Sequence, residues 1–254
     1  MLATADLGAD LAAALDPVAL SRRAGLEPDP WQAEVLRSVA PRLLLNCSRQ
    51  SGKSTTVATL ATWQSLYDPG LILLLSPGER QSKELFRKCL DVWRVLGRPV
   101  PADAENALSL ELANGARVVA LPGNEATVRG YSGAKLLLID EASRVPDALY
   151  QSVRPMLAVS GGRLLALSTP FGKRGWWHAE WTAGGDAWER YEIPATMCPR
   201  IPSAFLAEER RALGIFYDQE FLGAFIDTDT AIFRGEDIDA LLDPTVMPLF
   251  PIGT

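Results

Sequence analysis

The chain has 254 residues, 48% hydrophobic and 22% charged, with a formal net charge of −6 and a single histidine. This balance is that of a soluble globular protein with one large or two small domains. It excludes a His-rich metal site and a protein coated in basic surface for nucleic acid, though not a local basic groove. Cys47, Cys89 and Cys198 are far apart and show no metal-ligand spacing, so free thiols in a reducing compartment are expected. No apolar run reaches the length of a membrane span. The first 20 residues lack a basic region before their apolar part, which argues against a secretory signal.

Residues 5–24 carry Leu7, Leu11, Leu15 and Leu20 at helical spacing and predict one helix ending before Gly25. Residues 27–30 form a turn, and Pro30 suits the start of a short helix over 31–39, closed by Pro41. Residues 43–45 have strand character. A polar turn follows, then Gly52-Lys53-Ser54 and a helix reaching Asp68-Pro69-Gly70. Residues 71–75 form a continuous apolar run, as in a strand buried on both faces. A long amphipathic helix spans 79–96. Residues 108–112 and 116–121 flank Asn114-Gly115 as a β-hairpin. A Gly-containing loop leads to a strand over 136–139 that ends in Asp140-Glu141. Residues 146–158 read as helix, 163–168 as a fourth core strand, and 203–222 as two short helices. Residues 171–190 hold four of the seven tryptophans and give no firm element; neither does the chain beyond 223.

Strands alternating with helices predict an α/β fold with a largely parallel sheet, whose ligands sit at the strand C-terminal ends. The polar stretches at 47–54, 76–79, 140–141 and 168–170 each follow an apolar strand and would converge on one sheet edge.

The chemistry of these stretches is that of phosphate. Strand, loop and helix N-terminus over 42–54 form the context of a phosphate-binding loop. Lys53 can reach β- and γ-phosphates and the Ser54 hydroxyl can ligate Mg²⁺. Cys47 stands where the usual pattern opens with Gly. Asp140-Glu141 has the form of a Walker B pair: the Asp would hold Mg²⁺ and the Glu would polarise the attacking water. An isolated acidic pair could equally cap a helix; its order after the phosphate loop favours the catalytic reading. Arg49 could touch the γ-phosphate, hold the loop shape or simply be solvated. Gln32 could bond an adenine edge with Trp31 near the base, or the pair could be a helix start with a core anchor. Ser168-Thr169-Pro170 could sense the γ-phosphate or end a strand. Arg129-Gly130, in a loop before the acidic strand, could supply a finger, a DNA-phosphate contact or surface charge. Lys83, Arg87, Lys88 and Arg94 share one helix, much of it a solvated face. Arg163, Lys173 and Arg174 form a weaker basic group. His178 among aromatics reads as packed rather than catalytic.

Trp31-Gln32, residues 48–54, residues 128–130, residues 137–142 and Ser168-Thr169-Pro170, in this order, resemble the large terminase subunit of tailed bacteriophages, the ATPase motor that packages DNA. An Arg-Gln-x-Gly-Lys-Ser/Thr loop without its first Gly is typical of that family. The resemblance implies a P-loop NTPase of the RecA-like (ASCE) kind, a largely parallel sheet flanked by helices, and ATP and Mg²⁺ as cofactors. It implies that Trp31, Gln32, Ser48, Arg49, Gln50, Ser51, Gly52, Lys53, Ser54 and Thr55 bind nucleotide, and that Ser54 and Asp140 hold the metal. Glu141 would be the catalytic carboxylate, with Arg49 as loop arginine and Arg129 as a trans-acting finger; Ser168, Thr169 and Pro170 would be the coupling motif. Implied partners are double-stranded DNA, the portal protein, the small terminase subunit and further copies of the chain in a ring, in the host cytoplasm and without a membrane. The implied domains are an N-terminal helical segment at 1–24, the ATPase at 25–225 and a linker or truncated nuclease start at 226–254. Complete family members continue into an RNase H-like nuclease. Asp227, Asp229, Glu236, Asp237 and Asp239 are expected to be a solvated linker, and no nuclease activity is expected of this chain alone. The alternatives are a helicase-like DNA-dependent ATPase and a catalytically silent prophage remnant serving as a binding or assembly module.

Overall fold

A computed structural model describes residues 4–123, 128 and 130–227. In chain order the elements are α1 (Thr4–Leu15), α2 (Pro17–Arg23), α3 (Pro30–Arg37), β1 (Arg42–Cys47), α4 (Lys53–Tyr67), β2 (Leu71–Ser76) and α5 (Glu79–Val95). There follow β3 (Ala102–Glu105), β4 (Ser109–Leu112), β5 (Arg117–Pro122), β6 (Ala134–Asp140), α6 (Asp147–Val153), β7 (Arg163–Ser168), α7 (Gly175–Ala183), β8 (Glu189–Ile193) and α8 (Ser203–Leu213). One eight-stranded sheet runs in the order β3-β4-β5-β2-β6-β7-β1-β8. From β5 to β8 all neighbours are parallel, while β4 is antiparallel to β5 and β3 to β4. The fold is therefore α/β with a largely parallel sheet, as the sequence predicts.

Alternation along the central strands sends side chains to two cores. Leu43, Leu45, Ile72, Leu74, Leu136 and Leu138 pack under α3, α4 and α5. Leu44, Leu73, Leu75, Leu137, Ile139 and Leu164 pack on the other face, with Tyr150, Val153, Trp176 and Trp177 of α6 and α7. Helices on both faces explain why these strands read as unbroken apolar runs.

Three expectations need correction. The single helix over 5–24 is two helices, because Pro17 opens α2 and the Asp16 side chain accepts from Val18 N at 3.0 Å as its cap. Leu20 is buried, but Leu7, Leu11 and Leu15 are 59–77% exposed, so the helical spacing of α1 marks no core stripe. The helix after Pro30 ends at Arg37 rather than at 39. Neither edge strand, β3 nor β8, carries a strand pattern in the sequence. Their sequences Ala-Asp-Ala-Glu and Glu-Arg-Tyr-Glu-Ile are polar, as suits strands that pair on one side only.

Gly162 sets the approach of β7 to β6. A Cβ there would sit 2.0 Å from the backbone oxygen of Ala134 and 2.9 Å from Leu157 Cδ2. Gly162→Ala is expected to destabilise the fold by about 3 kcal/mol, lowering Tm by about 6–12 °C in a thermal melt; an unchanged Tm would contradict this packing.

Candidate active site

β1 delivers the chain into the loop 48–52, and α4 takes it up at Lys53. The loop needs two left-handed residues, Gln50 (φ 60°) and Gly52 (φ 91°). Gly52 is further constrained by crowding, since a Cβ would meet Gln32 Nε2 at 2.8 Å and an Arg200 guanidinium nitrogen at 3.3 Å. The loop is tied down from outside. Ser48 N donates to Ile193 O at 2.8 Å and Arg49 N to Glu220 O at 2.9 Å.

A cavity of about 580 Å³ opens beside this loop. Arg49, Gln50, Ser51, Gly52, Lys53 and Ser54 line one side; Glu141, Arg144, Thr169 and Pro170 come from the ends of β6 and β7. Gln81 and Lys88 of α5 and Glu220 complete it. The convergence of strand ends on one sheet edge is thus present in the structure. Within the site, Ser54 Oγ donates to Asp140 Oδ2 at 3.1 Å and Lys53 Nζ pairs with Glu141 Oε1 at 3.3 Å. Glu141 N donates to Asp140 Oδ1 at 3.0 Å, with Glu141 itself left-handed at φ 51°. A non-glycine residue held there stores local strain, a feature that clusters at functional sites. Burial pushes the Asp140 carboxyl up, with the Lys53 ammonium opposing it. Burial works against the Lys53 charge, but Glu141 and Asp140 outweigh it and hold Lys53 above the ordinary lysine range.

The other predicted residues divide. Arg49 lines the cavity and pairs with Glu220. Thr55 faces an adjoining cavity of about 230 Å³ with Gln32, Gly52 and Arg200. Gln32 Oε1 accepts from Asp29 N at 2.8 Å, closing a capping box on α3, and its Nε2 is the group facing Gly52. Trp31 differs from the base-packing expectation. It is 2% exposed inside the core under β1, the anchor alternative. Ser48 and Ser168 are also fully buried and reach neither cavity. Arg129 lies outside the described residues, as do Asp229, Glu236, Asp237 and Asp239. Asp227 pairs with Lys173 at 3.2 Å. Burial pushes the Cys47 thiol up to about 12, so it is a small neutral group at a strand end. His178 packs edge-on against Phe225, ring centroids 5.0 Å apart. On α5, Lys83 pairs with Glu79, Arg87 with Glu84 and Arg94 with Glu105, whereas Lys88 turns to the cavity.

Four further residues at the site belong to no sequence motif. Ser143 bonds Ser168 Oγ through both its N (3.2 Å) and its Oγ (2.7 Å), and its Oγ donates to Thr169 O at 2.9 Å. It thereby ties the acidic pair to the Ser-Thr-Pro turn. Arg200 bridges Asp29 Oδ1 (2.7 Å) and Ser51 O (3.2 Å). Glu220 clamps Arg49 by side chain and backbone. Arg144 enters the cavity three residues after Glu141. None had a motif or a period to signal it.

The sequence profile of the family described as "Terminase large subunit, T4likevirus-type, N-terminal" matches residues 44–240. The chain belongs to this terminase large-subunit family. It is 25% identical to the large terminase subunit of Thermus virus P23-45 over an alignment covering 86% of this chain and 53% of that protein. The chain thus spans about half the length of that curated relative. Among solved structures it is similar to an ATPase-domain mutant of the Thermus phage P74-26 large terminase, with TM-score 0.72, 18% identity, and 81% of this chain and 97% of that chain covered. The large terminase of bacteriophage D6E in complex with ATP-gamma-S superposes with TM-score 0.61 at 15% identity, covering 78% of this chain and 52% of that one. These terminase likenesses show a P-loop fold. No described helix is long and apolar enough to cross a membrane.

Proposed function

We propose that this terminase chain is an ATP-hydrolysing motor domain that drives double-stranded DNA into a procapsid, with MgATP as its substrate. The observation that carries the reading is the convergence of Lys53, Ser54, Asp140 and Glu141, with Ser54–Asp140 and Lys53–Glu141 contacts of 3.1 and 3.3 Å. The loop amides and the N-terminus of α4 offer donors and positive potential to the phosphates. Lys53 exchanges its Glu141 partner for the β- and γ-phosphates, which frees the carboxylate. The Ser54 hydroxyl and Asp140 are hard oxygen donors already in contact, and they suit the Mg²⁺ that arrives with ATP, because that ion keeps phosphate and water ligands besides one or two protein oxygens. Glu141 then accepts the proton of the attacking water. Arg49, released from Glu220, and Arg129 neutralise developing charge, the latter from a neighbouring copy. Gln32 and Thr55 face the base and α-phosphate side. Ser168, Thr169 and Pro170 pass the state of the site to the rest of the chain through Ser143. Residues 25–225 form this ATPase and 1–24 its N-terminal helical segment. The working assembly is a homo-oligomeric ring with the portal protein and the small terminase subunit, in the host cytoplasm.

Phosphate release from MgATP with and without double-stranded DNA tests the reading; DNA-stimulated hydrolysis is expected. A folded chain that binds no MgATP would instead be a silent assembly module, and duplex unwinding by the isolated chain would favour a helicase-like ATPase.

A further inference from the structure

Arg144 lines the cavity beside the catalytic carboxylate. It closes the single 3₁₀ turn Ala142–Arg144, directly after the strained Glu141. The preceding residue is pinned by the three Ser143 hydrogen bonds to Ser168 and Thr169, so the backbone carrying Arg144 is fixed relative to the catalytic carboxylate. The side chain is exposed and lines the same cavity as Lys53, Glu141 and Thr169.

Three cations at the phosphate loop are already paired with carboxylates, Lys53 with Glu141, Arg49 with Glu220 and Arg200 with Asp29, and Lys88 lines the cavity from α5, away from the turn that follows Glu141. Arg144 has no carboxylate partner among the described residues. Its guanidinium rests 4.0 Å from the ring centroid of Phe171, the residue after the Ser-Thr-Pro turn. Arg174 lies 4.5 Å from the same centroid, so two cations share one ring. Such a contact is weak at an exposed site and places like charges near each other. A phosphate oxyanion offers a guanidinium charge-assisted, bidentate hydrogen bonds that an aromatic face cannot match.

We propose that Arg144 is a catalytic residue of the hydrolysis, a cation supplied in cis that leaves Phe171 and pairs with the equatorial oxygens of the transferred phosphoryl group. The proposal rests on the ATPase reading. In the step it serves, the water oxygen bonds to the γ-phosphorus and the bond from that phosphorus to the β–γ bridging oxygen breaks. ADP leaves with the electron pair, and the water proton passes to Glu141. Arg144 forms no covalent bond; it neutralises charge where it is spread over the phosphoryl oxygens. Because its resting partner follows the coupling turn, its departure also frees Phe171 only when a γ-phosphate is present.

The test compares wild type, Arg144→Ala and Arg144→Lys in DNA-stimulated phosphate release, with calorimetric titration of ADP and ATP-gamma-S. Arg144→Ala is expected to lower kcat about a hundredfold and weaken ATP-gamma-S binding about tenfold, with ADP affinity and Tm unchanged. Arg144→Lys is expected to lie between, since it keeps the charge and loses the fork. An Arg144→Ala variant as active as wild type would overturn this proposal alone, as would equal losses of ADP and ATP-gamma-S affinity, the mark of a merely structural role. A wild type that neither binds nor hydrolyses MgATP would overturn the ATPase reading and this proposal with it.

Discussion

Replacing Glu141 by glutamine is expected to abolish turnover while sparing nucleotide binding. The amide fills the same space, and the left-handed backbone at Glu141, φ 51°, accepts either side chain at similar cost. It cannot take a proton from water, so the loss falls on the chemical step, about 10²–10⁴-fold in kcat for a positioned general base. Affinity should not fall. In the structure Glu141 holds Lys53 at 3.3 Å, and a neutral amide releases that ammonium for phosphate. The expected signature is therefore a collapsed kcat with an equal or lower KM, read by phosphate release and by ATP-gamma-S titration. Full activity in Glu141→Gln would remove Glu141 from the mechanism.

The sequence shows most where burial is symmetrical. Residues 43–45, 71–75, 136–139 and 164–167 form strands covered by helices on both faces, and both sets of their alternating side chains must be apolar. Edge strands obey the opposite rule. In β8, beside β1, only Ile193 is buried, and its Glu-Arg-Tyr-Glu start matches no strand pattern. The leucines of α1 mislead for a related reason: helical spacing reports a face but not what covers it, and Leu7, Leu11 and Leu15 face outward. In the site, Lys53, Ser54, Asp140 and Glu141 are legible because each stands at a fixed step from a strand end. Arg144, Ser143, Arg200 and Glu220 owe their positions to contacts between distant segments, as when Arg200 reaches back to Asp29 and Ser51. Trp31 and Gln32 show the limit of reading a pair as a unit. Adjacent residues on a helix point in different directions, and one enters the core while the other faces the loop.

The Lys53→Ala variant probes the electrostatic arrangement of the whole site. Lys53 is nearly buried and is the principal cation facing Asp140 and Glu141. Its removal deletes a charge-assisted contact to phosphate, worth about 2–3 kcal/mol, so MgATP affinity should fall about 30–150-fold and turnover should vanish. The folded chain also changes. Burial already raises the Asp140 carboxyl, and Lys53 is the largest influence holding it down. Without Lys53, Asp140 rises further. A carboxyl whose folded pKa lies above its unfolded value binds a proton more readily in the native state. Its stabilising contribution is then present below the unfolded value and is lost as pH rises through the folded value. Both proteins should therefore lose part of their stability on going from acid toward neutral pH through this group, and Lys53→Ala should lose more and over a wider interval. Because Glu141 retains some exposure, water softens the deficit. The expected gap at neutral pH is about 1–3 kcal/mol rather than the full cost of breaking a buried pair. Denaturant melts of both proteins across this pH range measure it. A gap independent of pH would mean that Asp140 and Lys53 do not share a field, and a gap that widens toward acid would reverse the assigned sign.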